Sequence, residues 1–233
     1  MKISYQVENI FSHSVALFQK GNLKSTIYAY GKEIFILNQD KTLFFKFSLS
    51  QHNFDQPISF YSNDYDSNHI EIEKDSVCFV KRQKDYERKK YCKVPNLDFH
   101  QVQKLFGSFE LKKENHSVIE NLFLSFLEND LSHIEFSCKN KKLRIIQRDV
   151  YSGNVIKITK RSSDNLGLFS EGNLSDFSPI GLRTADFLSL FVFVESFDFY
   201  FTKSGYVWVE SRSGKMKMIV IISKCKYDEL GGE

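Results

Sequence analysis

Phe197-Asp198-Phe199-Tyr200-Phe201-Thr202-Lys203-Ser204-Gly205-Tyr206-Val207-Trp208-Val209-Glu210-Ser211 is the stretch on which the fold turns. Phe197, Phe199 and Phe201 fall on one side of an extended chain, and Asp198, Tyr200 and Thr202 on the other. Period-two alternation marks a strand with one packed and one wet face. Lys203-Ser204-Gly205 is a turn, and Tyr206–Ser211 is a second strand. Ser213-Gly214 turns again into Lys215–Ser223, where Met216, Met218, Val220 and Ile222 alternate. Upstream, Phe187, Leu188, Phe191 and Val194 recur at helical spacing behind Thr184, which predicts a capped helix over 185–196.

One helix and three strands make a unit, and the unit recurs. Over residues 1–49, Ile10, Phe11, Val15, Leu17 and Phe18 predict a helix ended by Gly21, followed by strands Ser25–Tyr30, Glu33–Leu37 and Thr42–Leu49. Over 105–160, Ser117 and Glu120 have the spacing of a capping box. With Val118, Ile119, Leu122, Phe123, Phe126 and Leu127 they predict a helix at 117–130. Strands His133–Cys138, Leu143–Arg148 and Val155–Lys160 follow. A shortened copy occupies 57–94: Ile58–Tyr61 leads, strands His69–Lys74, Ser76–Gln83 and Arg88–Val94 follow, and Ser62–Ser67 between them is too short and polar for a helix. The expected class is α+β: two similar domains of repeated β-α-β-β-β units, with helices on one face of antiparallel sheets. The second helix of the first domain is missing or very short. The expected domains are 1–97 and 105–227, with a mixed polar connector at 98–104 and a short tail at 228–233.

Composition bounds the function. The 233 residues are 42% hydrophobic and 26% charged, ordinary for a globular protein, and 23 Phe with 11 Tyr lean toward sheet. A net charge of +3 is less than a wholly nucleic-acid-binding chain usually carries, but local segregation is compatible with it. Cys78, Cys92, Cys138 and Cys225 form no CxxC pair and have no companion His at zinc spacing, so buried free thiols are expected. No run of about 20 apolar residues and no secretory start is present, so no membrane span and an intracellular, reducing compartment are expected. Lys226-Tyr227-Asp228-Glu229-Leu230 is followed by Gly231-Gly232-Glu233 and is not a retention signal. None of GxxxxGK[ST], GxSxG, HExxH or DxDxDG occurs, and Asp64 and Asp66 read as loop residues. No catalytic residue, metal site or cofactor is expected.

Charge is clustered. Lys81, Arg82, Lys84, Arg88, Lys89, Lys90 and Lys93 form a basic hairpin; Lys139, Lys141, Lys142, Arg144 and Arg148 form a second cluster; Lys157, Lys160 and Arg161 form a third. Two explanations compete: phosphate contacts, which need Lys and Arg without base readout, and solvated strand edges, where Lys blocks aggregation. The segments 117–130 and 185–196 carry no Lys or Arg.

Several stretches carry a family resemblance. Leu131-Ser132-His133-Ile134 with Phe136-Ser137-Cys138, and Ile180-Gly181-Leu182-Arg183 onward to Val220, resemble proliferating-cell nuclear antigen. The Gly21-Asn22-Leu23 turn, Lys32-Glu33-Ile34-Phe35-Ile36, Leu43-Phe44-Phe45-Lys46-Phe47, and Val77-Cys78-Phe79-Val80-Lys81-Arg82 with Lys89-Lys90-Tyr91 resemble the Rad-nine subunit of the nine-one-one checkpoint clamp. The chain thus resembles the DNA sliding clamps over nearly its whole length, by pattern and scattered residues. The resemblance implies a DNA-clamp fold, and a ring of three two-domain subunits. Its partners would be two related clamp subunits, double-stranded DNA through the ring, a clamp loader, and repair or signalling proteins, in the nucleus and without a cofactor. DNA-facing candidates are then Lys20, Lys24, Lys81, Arg82, Lys84, Arg88, Lys89, Lys90, Lys139, Lys141, Lys142 and Arg144. Partner-peptide docking candidates are Asp98, Phe99, Val102, Ser223, Lys224 and Cys225. A checkpoint heterotrimer, a homotrimeric replication clamp and a sheet-rich binding module without a DNA role remain distinct expectations. Two departures stand out: the long signalling tail of the Rad-nine subunit has no counterpart after Ser223, and one helix is reduced.

Overall fold

The computed structural model describes residues 4–19, 25–65, 69–73, 76–84, 86–93, 95, 97–112, 117–123, 132–149, 152–161, 175–193, 196–202, 204–213 and 216–224. In chain order these form α1 (Tyr5–Gln19), β1 (Ser25–Gly31), β2 (Glu33–Asn38), β3 (Leu43–Leu49), β4 (Phe54–Tyr61), a 3-10 turn (Ser62–Asp64), β5 (His69–Glu73), β6 (Ser76–Gln83) and β7 (Tyr86–Lys93). Then come α2 (Phe99–Leu111), β8 (Ser117–Phe123), β9 (His133–Lys139), β10 (Lys142–Arg148), β11 (Val155–Arg161), β12 (Phe177–Arg183), α3 (Thr184–Ser189), a 3-10 turn (Leu190–Val192), β13 (Ser196–Phe201), β14 (Tyr206–Ser213) and β15 (Met216–Ser223). The chain divides into two compact units, Met1–Leu111 with Arg212–Met218, and Lys112–Ser211 with Ile219–Glu233.

In the first unit, β4, β1, β2 and β3 are antiparallel neighbours in that order, and β5, β6 and β7 form a separate three-stranded sheet. The hairpin from β1 to β2 turns through Gly31 at φ 56°, a left-handed conformation that costs glycine little. α1 lays Val7, Ile10 and Phe11 into the core. The Phe11 ring meets Phe60 edge-on at 5.2 Å and Tyr65 at 5.5 Å, and Phe60 meets Phe79 of β6 at 5.0 Å. Where a second full helix would complete the repeat, the described residues show the single turn Ser62–Asp64.

α2 covers another part of this unit. Phe99, Val102 and Phe106 are buried at helical spacing i, i+3, i+7. Phe99 packs 5.4 Å from Phe35, and Phe106 lies 5.6 Å from Phe35 and 5.5 Å from Phe44. Asp98 begins the helix with a reciprocal cap: the Gln101 N–H donates to Asp98 Oδ1 at 2.8 Å, and the Asp98 N–H donates to Gln101 Oε1 at 3.3 Å. The segment 98–104, expected to be a polar connector, is therefore the cap and first half of a docked helix. Its exposed residues Gln101, Gln103 and Lys104 are the polar stripe of that helix.

In the second unit, β15, β14, β13 and β8 are neighbours, and a four-stranded antiparallel sheet runs β11-β10-β9-β12. Phe197, Phe199 and Phe201 are buried together as their alternation requires. Phe136 of β9 and Phe187 of α3 close on them, at 5.6 Å from each other, with Phe187 5.2 Å from Phe199. The helix expected over 117–130 is corrected: Ser117–Phe123 is β8, antiparallel to β13, with Val118 opposite Tyr200 and Ile119 opposite Phe199. Val118, Ile119, Leu122 and Phe123 suit either period, and pairing with a phenylalanine-rich strand decides the outcome. Residues 124–130 of that expected helix lie outside the described residues. Thr184 is also corrected from cap to first helical residue. Arg183 holds the N-cap position with no side-chain cap bond, and the Thr184 N–H donates to the Ser132 carbonyl at 2.9 Å.

Candidate nucleic-acid interface and docking cavity

Strand alternation places the basic residues. In the second unit, cross-strand register puts Lys139, Ser137, Glu135 and His133 of β9 beside Lys142, Arg144, Ile146 and Arg148 of β10. Arg161, Thr159, Lys157 and Val155 of β11 lie on the far side of β10, at the same face. The opposite face holds Leu143, Ile145, Ile134, Phe136 and Cys138, all buried. Lys139, Lys142, Arg144 and Lys157 are exposed, Arg148 is half-exposed, and the acid on their face, Glu135, is buried. Lys139, Lys142, Arg144, Arg148, Lys157 and Arg161, from two clusters separate in sequence, thus share one face by register, whereas Lys160, opposite Leu143, falls on the other. Lys141 sits in the two-residue turn between β9 and β10, with φ 56° after Asn140 at φ 53°. Both are left-handed, as the turn type favoured in hairpins demands.

The β6–β7 hairpin is different. Lys81 pairs with Arg88, Arg82 with Glu87, Val80 with Lys89 and Phe79 with Lys90, so its cations divide between the two faces. Lys81, Lys84, Arg88 and Lys89 are exposed. Lys89 Nζ is 2.7 Å from Glu71 Oε2 and 3.7 Å from Glu87 Oε1, and the Glu71 contact holds its pKa above the ordinary lysine value. Lys90 Nζ reaches Asp64 Oδ1 at 3.2 Å and the Asp64 carbonyl at 3.0 Å. Two of this hairpin's cations, Lys89 and Lys90, are thus answered within the fold. Lys20 and Lys24 lie outside the described residues, as does Cys225. Neither α1 nor α3 carries a Lys or Arg.

Of the docking candidates, Asp98, Phe99, Val102 and Lys224 make contacts within the fold. Asp98 caps α2, and Phe99 and Val102 are 3% and 0% exposed beneath it. Ser223 is half-buried at the end of β15. Lys224 Nζ donates to the Thr202 carbonyl, and burial pulls its pKa below the ordinary lysine value. A cavity of about 540 Å³ instead opens beside the start of α2, lined by Thr26, Tyr28, Leu37, Lys41, Tyr61 and Leu97 among others. Thr26, Tyr28, Leu37 and Tyr61 share one face of the sheet by register, the face that α2 covers farther along at Phe35 and Phe44. Strand alternation alone does not reveal this site, because Tyr28 and Tyr61 come together only through the register of β1 and β4. The available signal is Tyr28, a buried tyrosine opposite Ser59 of β4.

Among the described residues, no group of three or more His, Cys, Asp or Glu gathers to hold a metal ion. Cys78, Cys92 and Cys138 are buried thiols outside any disulfide, and burial raises the thiol pKa of Cys92 and Cys138. No described helix is long and apolar enough to cross a membrane.

Two solved structures share this architecture along nearly their whole length. Proliferating cellular nuclear antigen from Entamoeba histolytica aligns with a TM-score of 0.57 at 10% identity, covering 94% of this chain and 96% of that one. This is the sliding-clamp fold. The PCNA2–PCNA3 complex from Sulfolobus tokodaii aligns with a TM-score of 0.60, again at 10% identity, covering 93% of this chain and 96% of that one. No protein-family model matches the sequence, and no curated protein matches it. The clamp fold is therefore carried by pattern: helix-and-strand units with alternating strands, on side chains that differ at nine positions in ten.

Proposed function

We propose that the chain is a non-enzymatic subunit of a heterotrimeric sliding clamp that encircles duplex DNA and scaffolds damage signalling and repair in the nucleus. Its partners are two related clamp subunits, a clamp loader, and repair or signalling proteins. The carrying observation is the near-complete, two-way coverage of clamp structures by a two-unit chain.

Two features favour unlike partners. Rings form by head-to-tail contact, and sheet edges invite strand pairing. β7 and β11 are edge strands of their sheets. Both are basic, through Arg88, Lys89, Lys90 and Lys93 on one and Lys157, Lys160 and Arg161 on the other. Contact between two copies through these edges opposes like charges, which destabilises cross-strand pairs. The reduced helix at Ser62–Asp64 also breaks the repeat that a symmetric ring would use at every position. The cavity beside α2 is the proposed dock for a repair or signalling partner, presenting Tyr28, Tyr61 and Leu97 to an apolar side chain and Lys41 to an acidic one.

Native mass measurement of the complex isolated from expressing cells tests the assignment. One copy of this chain with one copy each of two other clamp-fold chains is expected. Three copies of this chain would make it a homotrimeric replication clamp, and a monomer without such partners would leave a binding module.

A further inference from the structure

We propose that the β11-β10-β9-β12 sheet, at the end next to the β9–β10 turn, binds a phosphorylated segment of a partner protein through Lys139, Lys142, Arg144, Ser137 and Thr159. This contact belongs to the chain alone and stands whether or not a ring closes. Phe187 of α3 packs on Phe136, so the core lies against one face of the sheet and these residues occupy the other. Lys139, Lys141, Lys142, Arg144 and Thr159 are exposed, and Ser137 is half-exposed. Among the described residues, Lys139, Lys141, Lys142 and Arg144 make no ion pair, whereas Lys89 and Lys90 of the β6–β7 hairpin are answered by Glu71 and Asp64.

Register sorts this face into rows across β9, β10 and β11. The row next to the turn is Lys139, Lys142 and Arg161, and the second is Ser137, Arg144 and Thr159. The third is Glu135, Ile146 and Lys157, and the fourth is His133, Arg148 and Val155. Positive charge is therefore concentrated in the first two rows, with Lys141 in the turn beside them; the third row sets the acid Glu135 and the apolar Ile146 beside its single cation. At about 4.8 Å between strands and about 6.8 Å between alternate residues, the two rows cover roughly 10 by 7 Å. That is a compact patch, whereas the charge of a duplex runs on along its axis.

The chemistry of the two rows selects phosphate. In the first, Lys142 stands opposite Lys139 on one side and Arg161 on the other. Such like-charged pairs cost stability in the free sheet, and a bound anion relieves that cost. In the second, Arg144 stands between two hydroxyl-bearing residues. A phosphate offers three acceptor oxygens, enough for the guanidinium fork and both hydroxyls, whereas a carboxylate offers two. Two phosphates at about −1.5 to −2 charge each match the four cations of the rows. Alternate residues of an extended peptide are also about 6.8 Å apart, so phosphorylated residues at i and i+2 place one phosphate over each row.

The test uses the full-length chain and anisotropy of a fluorescein-labelled Gly-Ser-Gly-Ser-Gly peptide with both serines phosphorylated. This probe should bind at least about tenfold more tightly than its unphosphorylated form, and more tightly than the same peptide with glutamate at both serines. The variant Lys142→Gln/Arg144→Gln should weaken binding by about tenfold or more. Ser137→Ala/Thr159→Val should narrow the preference for phosphoserine over glutamate, a readout that a purely structural role leaves unmoved. The matched variant Lys32→Gln/Lys104→Gln, exposed positions off this face, should behave as the parent. Equal affinity for the phosphorylated and unphosphorylated peptides, no binding by the parent, or binding indifferent to Lys142→Gln/Arg144→Gln overturns the proposal. So does a short duplex that binds more tightly than the peptide and loses affinity in that same variant, which would give the face to nucleic acid. Failure of the assembled complex to stay on closed circular DNA, with phosphopeptide binding intact, removes the clamp and leaves this site.

Discussion

Replacing Phe106 by Ala asks whether α2 is part of the folded first unit or a loose connector. Phe106 is 2% exposed, and its ring lies 5.6 Å from Phe35 and 5.5 Å from Phe44, with Lys46 Nζ 5.1 Å from its centroid. Truncating a buried Phe to Ala costs about 3–5 kcal/mol, which includes the lost transfer energy and the cavity left behind. Alanine's better helix propensity returns about 0.5 kcal/mol. The net loss is about 3 kcal/mol, equivalent to roughly a hundredfold faster exchange of amides that open with the unit. Hydrogen exchange over 99–111 reads it directly. Trp208 lies in the other unit and is buried there, so its fluorescence during urea unfolding serves as an internal control. Rapid exchange of 99–111 in the parent, or a loss under about 1 kcal/mol in the variant, would refute the docking of α2.

Other outcomes follow from single contacts. Asp98→Ala removes the cap of α2 and should lower stability by about 1 kcal/mol in urea titrations, with protection lost first at the start of the helix. Lys141→Gly replaces a left-handed lysine at φ 56° by the residue that adopts this conformation most easily, and should stabilise the chain by about 0.5–1 kcal/mol in thermal melts. Tyr65 has its pKa pushed up to about 12 from 10.0, first by burial and then by the charge of Glu8. The folded state therefore keeps a proton that the unfolded chain gives up. This contribution is whole below pH 10 and is lost as pH rises toward 12; Tyr65→Phe should flatten that alkaline decline in urea midpoints measured across the interval.

Where local pattern and tertiary pairing agree, the fold can be read directly. Phe197, Phe199 and Phe201 alternate in sequence and are buried together, and the polar stretch from Ser62 shows, among the described residues, a single 3-10 turn at Ser62–Asp64. Two segments were misjudged for opposite reasons. At 98–111 the polar residues Asp98, His100, Gln101, Gln103 and Lys104 have the composition of a connector, yet Phe99, Val102 and Phe106 keep helical spacing and Asp98 with Gln101 forms a capping box. That signal is present in the sequence itself. At 117–123 the apolar residues satisfy both periods, and pairing with β13 settles the matter from far along the chain. The candidate site was legible as charge but not as geometry. Lys157 stands beside β10 only through register, while Lys89 and Lys90 look like ligands for an anion until Glu71 and Asp64 are placed beside them.

The central claim is that this chain helps to close a ring around DNA. Its most direct test is retention of the isolated complex on a nicked circular plasmid, after loading with ATP in extract from the same cells, measured before and after a single linearising cut. A complex that stays on the circle through a high-salt wash and leaves once the cut provides ends is the predicted result. Equal retention on circular and linear DNA, or none on either, would contradict it.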